Sequence, residues 1–362
     1  MLLLNLLSFF SILGLTQAVL IRPFTCPGDA FRALNLRCCH FYEVVEDLKM
    51  NLFKNRCGGE AHAVLRLTFH DAIGISSKLG GGGADGSILV YREIELQDRS
   101  NAGLKKALDI LEPYVEKYPK VSPGDMIQLA GAVSLTVCPG APRISFFAGR
   151  PYPRAPAPPG LIPGHFHDVS TILARLGDVG FLPHEVVALL ASHSIAGAHN
   201  VDTTIRQLTS SLSAPLDSTH DQFDTQFYLE TLLAGSTYPG TGAHFGEVPA
   251  AIPGTVRLAS DHKIARDPRT SCAWQSMINN QSKMKIDFAA AMVKMSLLGQ
   301  SLLTLIDCSE VIPDPLALRS RTANYPPEQR KSNVETTCKI LPFPNLSTQP
   351  GPATAVSPIP QI

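Results

Sequence analysis

Apolar residues recur at helical spacing over 40–56, 60–70, 103–118, 123–136, 169–177, 183–197, 223–234 and 285–299, whereas period-two alternation is scarce. Such a chain buries one stripe of each helix, so the sequence predicts a mostly α-helical protein with minimal β-structure. Its 362 residues, 44% of them hydrophobic, suffice for a substantial core and predict one large domain with two lobes. Ser122-Pro123-Gly124-Asp125 marks one helix start, with a capping serine ahead of a first-turn proline. Residues 150–164, RPYPRAPAPPGLIPG, are too rich in proline for a helix and predict an extended segment that crosses between lobes and lines a cleft. Proline at 342, 344, 350, 352, 358 and 360 predicts an extended, weakly ordered tail over 341–362. There is no internal repeat.

The 31 basic and 31 acidic residues cancel, and no Lys/Arg block stands out. Nothing in that balance suits a nucleic acid or an anionic membrane, which points to a small-molecule partner. Residues 1–18 form an uncharged apolar stretch ending in Thr16-Gln17-Ala18, small residues of the kind a signal peptidase reads. The stretch is too short for a permanent span and reads as a secretory signal. Residues 19–22 read as a short propeptide ending at Arg22, leaving Pro23 as the mature start. Export favours disulfides among the eight cysteines, and the sequence leaves their pairing open. No CxxC spacing supports zinc. Asn280 and Asn345 open glycosylation sequons. No coiled coil is evident, so a monomer is expected.

Arg66 and His70 stand four apart on one predicted helix and project side by side. An imidazole that moves a proton beside a guanidinium that stabilises a leaving oxygen suits heterolysis of a small polar bond. The same spacing also describes an exposed surface pair. A second apolar helix over 184–197 delivers His193 near its end. His184-Glu185 raises a zinc-protease reading, which fails because Ala188 stands where HExxH needs its second histidine. His165 and His167 lie in the proline-rich loop and read as surface residues.

Joined to an acidic partner at Asp261, these residues closely resemble the fungal class II secreted haem peroxidases of the plant-type peroxidase superfamily. The matching stretches are RLTFHDAIGI (66–75), GGGGADGS (80–87), CPGAPR (138–143), LLASHSIA (189–196), FDTQF (223–227), ARDPRT (265–270) and IDCS (306–309). The resemblance implies a haem peroxidase domain over 23–340, with a distal half over about 23–150 and a proximal half over about 160–300, and haem b between them. It implies hydrogen peroxide and small phenolic donors as partners. By this likeness His193 is the proximal iron ligand and donates its other ring nitrogen to Asp261, which lowers the reduction potential. His70 takes a proton from peroxide and returns it to the departing oxygen, Asn101 fixes its tautomer, Glu95 anchors that network, Arg66 stabilises the leaving hydroxide, and Phe69 packs beside the haem.

Two calcium sites are implied as well. Asp71, Gly83, Asp85 and Ser87 match the distal one, and Ser194, Asp217, Thr219, Gln222 and Asp224 the proximal one. The implied disulfides are Cys26–Cys39, Cys38–Cys308, Cys57–Cys138 and Cys272–Cys338.

Departures from the ligninolytic members define the expected subtype. The three manganese-binding carboxylate positions read Gly59, Ala63 and His199, and the exposed-tryptophan position reads Ala188. Glu60 is a poor substitute, because one residue along a helix turns a side chain by about 100°. Trp274, the sole tryptophan, lies in a stretch like the family's structural CxWQS and is expected to be buried. Leu216 stands at a proximal position that is phenylalanine in several ligninolytic members. The expectation is a generic, low-potential peroxidase that oxidises phenols and dyes at the haem edge. The alternatives are a manganese- or surface-radical-type enzyme with displaced ligands and a non-catalytic haem-binding glycoprotein.

Overall fold

The computed structural model describes residues 23–360 apart from 29, 102, 199–200, 206–211, 319, 321 and 336–337. The expected signal and propeptide, and His199, lie outside the described residues. Twelve α-helices stand among the described residues: α1 (Phe41–Asp47), α2 (Gly59–Ala72), α3 (Ser87–Val90), α4 (Arg92–Glu95), α5 (Lys105–Lys117), α6 (Pro123–Thr136), α7 (Val169–Asp178), α8 (Pro183–Leu189), α9 (Gln226–Leu232), α10 (Ala259–Arg266), α11 (Ser271–Met277) and α12 (Gln281–Ser296). Strands are short and antiparallel, in four pairs and one three-stranded sheet among the described residues, as the scarcity of alternation implies. The periodicity missed α3, α4, α10 and α11, the first two about one turn long and the others about two.

Local chemistry sets the helix starts. Ser122 Oγ accepts from Asp125 N at 3.2 Å, Asp168 Oδ1 from Thr171 N at 2.8 Å, and Asn280 Oδ1 from Lys283 N at 3.2 Å. Every residue of α6 is buried, as befits a helix apolar on all sides. It packs against α2 where a Cβ on Gly131 would stand 2.2 Å from Thr68 Cγ2, so glycine sets how closely the two helices approach. On the other side, α8 packs on α12, and α9, α10 and α11 pack together. One large apolar cluster runs through both groups.

The four disulfides are the pairs that the resemblance implies. Cys38–Cys308 closes the longest loop, 270 residues, and restricts the unfolded chain most. The proline-rich strap is extended and is fixed from end to end. Its start is held by a buried ion pair, in which Asp125 accepts from Arg150 Nη1 at 2.8 Å and from Gly149 N at 2.7 Å, while Arg150 Nη2 donates to Ser296 O at 2.7 Å. The tail departs from expectation. Ile359–Pro360 pairs with Leu212–Ser213, Val356 N donates to Pro253 O, and Ile359 is buried, so backbone hydrogen bonds anchor it despite its prolines.

Candidate active site

On α2, Arg66, Phe69 and His70 occupy one end of a regular helix. His70 is buried, and its Nδ1 donates to Asn101 Oδ1 at 2.9 Å, which leaves Nε2 with the lone pair. Burial, then the Arg66 charge, pulls the His70 pKa down to about 3, only partly offset by Asn101. The imidazole is therefore neutral across ordinary pH. Asn101 Nδ2 donates to the main-chain carbonyl of Glu95 at 2.8 Å, so Glu95 enters this network through its backbone. Its carboxylate instead accepts from Ala157 N of the strap at 2.9 Å.

His193 sits on the 3₁₀ turn Leu190–Ile195, which continues α8. The change of pitch has a local cause: Ser192 Oγ and Ser194 Oγ each bond back to the carbonyl three residues earlier, at 2.9 Å. His193 Nδ1 donates to Asp261 Oδ2 on α10 at 2.8 Å. Its Nε2 is left as a lone-pair donor for a metal, supported by a carboxylate. Phe227 lies edge-on, 5.5 Å away between ring centroids, and Leu216 is half-buried nearby through Leu216 N to Ala196 O.

α2 lies next to the His193 turn. Arg66 is surrounded by enough protein to draw its pKa down to about 10, yet its surface is exposed. Both hold if Arg66 faces an internal space. Phe69, Leu190, Ser192 and His193 are likewise half-open, whereas Ala191 and Ser194 are buried. An anchored imidazole on the His193 turn and a neutral imidazole plus guanidinium on the neighbouring α2 are a residue set that fits an iron porphyrin.

Each histidine is followed directly by a residue of an oxygen-rich cluster. Beside His70, both Asp71 oxygens accept from Gly86 N and Asp85 Oδ1 from Ser87 N, in a loop that includes Gly83. Burial first, then Asp85, holds Asp71 well above the usual carboxylate range. Beyond Ser194, Asp217 is fully buried with no hydrogen-bond partner for Oδ2, Thr219 Oγ1 donates to Asp224 Oδ1 at 3.0 Å, and Gln222 N donates to Thr219 O at 2.8 Å. Burial raises Asp224 to about 6. Clustered, buried carboxylates of this kind suit a hard cation.

Sequence reasoning missed Glu230, buried on α9, which accepts from Ser218 and Gln226 and is raised to about 7 by burial. An acid inside the apolar run after FDTQF was the available signal. Cys57, His62 and Cys138 also bring ligand-type atoms together, but the two sulfurs are bonded to each other and no thiolate remains. Trp274 is fully buried and donates to Tyr228 O at 3.0 Å. Ala188 is buried as well, and Glu60 lies 3.8 Å from Lys54. His165 and His167 are half-buried rather than fully at the surface.

The family described as Peroxidase matches residues 44–280, and the fungal peroxidase extension region matches 283–361. The chain is 45% identical to manganese peroxidase 3 of Phlebia radiata, covering 98% of each. It is 44% identical to versatile peroxidase VPS1 of Pleurotus eryngii, covering 95% of this chain and 93% of that one. It is 43% identical to ligninase C of Trametes versicolor, covering 99% and 97%. With its two imidazoles, its helical fold and this likeness along nearly its whole length, the chain belongs to the fungal branch of the peroxidase family, haem enzymes that use hydrogen peroxide as oxidant.

Proposed function

We propose that this protein is a secreted, monomeric, generic haem peroxidase that oxidises small phenols and dyes by one-electron steps. The observation that carries the reading is the contrast between the imidazole partners, neutral Asn101 for His70 and anionic Asp261 for His193. His193 Nε2 would ligate the iron of haem b, with Asp261 strengthening it as a donor. When bound, that group supplies the metal at which peroxide is cleaved and holds the oxidising equivalents. His70 Nε2 takes the proton from the near oxygen of peroxide and hands it to the far one as it leaves. Arg66 stabilises the negative charge that develops there. Phe69 shields the pocket from water.

Calcium would occupy both oxygen clusters, through Asp71, Gly83, Asp85 and Ser87 and through Ser194, Asp217, Thr219, Gln222 and Asp224. Each ion would brace one histidine. The reading includes a signal over 1–18, a propeptide over 19–22, distal and proximal halves over about 23–150 and 160–300, and glycans on Asn280 and Asn345, both exposed. The relatives named manganese or versatile peroxidase leave the reductant to be decided by residues. With Gly59 and Ala63 at two of the carboxylate positions and Ala188 buried, the generic subtype is favoured. Mixing the holoprotein with peroxide should shift the Soret band rapidly, and guaiacol should restore it. Slow bleaching alone would overturn the reading, and saturable Mn(II) oxidation in malonate would overturn the subtype.

A further inference from the structure

A third group of ligand-type side chains, outside both oxygen clusters described above, stands where the chain after His193 meets the loop before the strand Glu247–Val248. Asp202 Oδ1, Thr204 Oγ1 and His244 Nε2 form a triangle, with edges of 2.7 Å from carboxylate to hydroxyl, 3.0 Å from carboxylate to imidazole and 3.2 Å from hydroxyl to imidazole. Two ligands at right angles, each about 2.1 Å from a metal, stand about 3.0 Å apart. The triangle therefore has the size of one face of a six-coordinate site. A triangle of hydrogen bonds has the same edges, and what separates the two is the oxygen left over.

Asp202 is buried, and its Oδ2 has no hydrogen-bond partner among the described residues. Glu247 is buried too and lacks one for either carboxylate oxygen. It belongs to the same group: its N donates to His244 O at 3.0 Å, and burial first, then the Asp202 charge, raises its carboxyl to about 7. Buried carboxylate oxygens without a donor are costly, and a cation supplies what no N–H here does. Gly240 keeps the place open, because a Cβ there would run into both Asp202 Oδ2 and Thr204 Oγ1. The His244 side chain is 27% exposed, which gives an ion its way in from solvent.

We propose that Asp202, Thr204, His244 and Glu247 bind a divalent transition-metal ion of the zinc type. One imidazole among oxygens favours such an ion over calcium, which takes oxygens at longer range. Thr204 Oγ1 accepts from Thr241 N at 2.8 Å and keeps a second lone pair for the ion. His244 ligates through Nε2, and the hydrogen of the ring sits on Nδ1. The strand Glu247–Val248 pairs with Arg257–Leu258, which runs directly into α10 and Asp261. The ion thus clamps the chain leaving His193 to the strand that leads to its carboxylate partner, and its role is to stabilise that side of the molecule.

Zinc titrated by calorimetry into the calcium-loaded holoenzyme, with the two oxygen clusters already filled, should bind once per chain and raise the thermal midpoint. X-ray absorption at the zinc edge should show one imidazole among oxygen ligands at about 2.1 Å. His244→Gln removes the imidazole, and Gly240→Ala fills the opening without changing a ligand. Each should weaken zinc binding at least about tenfold while the Soret band and the guaiacol rate stay as in the wild type. Asp202→Asn, which keeps the shape of the side chain, takes the place of either variant that loses its Soret band. A wild type that takes up no zinc would overturn the site, and so would zinc held equally well by the wild type and the variants, which would mark an adventitious ion only. Either failure leaves the peroxidase reading standing, since the test reads zinc and not turnover.

Discussion

His70 and His193 are the same side chain in two settings, and under the proposed function the difference divides their work. His70 lies on a regular helix, is buried, and donates to a neutral amide. His193 lies on a tightened turn, is half-open, and donates to a carboxylate. A neutral partner leaves the distal imidazole a weak base that gives its proton back, whereas an anionic partner makes the proximal one a strong, permanently oriented donor. Removing the distal base should therefore hurt most. In His70→Leu the bimolecular rate with peroxide, measured by stopped flow, should fall by roughly 10²–10⁴ or more, since one group serves two proton transfers. A fall of less than tenfold would break the comparison.

The proximal partner comes next. Asp261→Asn gives His193 the kind of neutral partner that His70 has, and should slow the peroxide reaction by roughly 10–100-fold while raising the reduction potential. Potentiometry separates this from simple loss of haem. An unchanged potential would mean that the carboxylate only positions the ring.

A smaller effect separates the two sides by pH. In chelated protein, Asp224 and Glu230 have pKa values raised to about 6 and 7, chiefly by burial. A raised carboxylate contributes stability that is full below its unfolded value and is lost as pH rises through the folded one. Chelated protein should thus lose thermal stability as pH climbs from about 4.5 to 7, and added calcium should abolish the slope by favouring the ionised form. Equal slopes with and without calcium would argue against the proximal cation.

Much of the geometry was legible because the candidate site residues share elements with strong patterns. The period of α2 placed Arg66 beside His70 and the apolar run placed His193 near a helix end, whereas joining the three into one site rested on the family resemblance. The turn at His193 was not legible from period, because two serines bonding back to the chain override it. The strap read correctly as extended. Its anchors did not, since they pair backbone N–H groups with carboxylates far away, as Ala157 does with Glu95 and Gly160 with Asp98. The tail looked loose because proline removes donors, yet the remaining N–H and C=O groups suffice to pair Ile359 with Ser213. Glu230 hid in an apolar run for the opposite reason, being a charged residue whose burial only tertiary partners explain.

The distal helix should show the reverse pH sign through a residue outside the chemistry. His62 is buried on α2, 3.6 Å from Cys57 Sγ, and burial, with His220 adding a little, lowers its pKa to about 3. Unfolded, the same imidazole takes a proton below about 6.5. Between these values the unfolded chain binds a proton that the folded one refuses, so stability is full above 6.5 and falls as pH drops toward 3, by about 1.4 kcal/mol per unit. His62→Gln keeps a polar group in place and removes the proton. Its denaturation midpoint should fall less steeply over that window than the wild type's, in calcium-loaded protein where the proximal carboxylates do not contribute. Parallel curves would show that His62 is protonated in the native state and that α2 does not exclude charge as its burial implies.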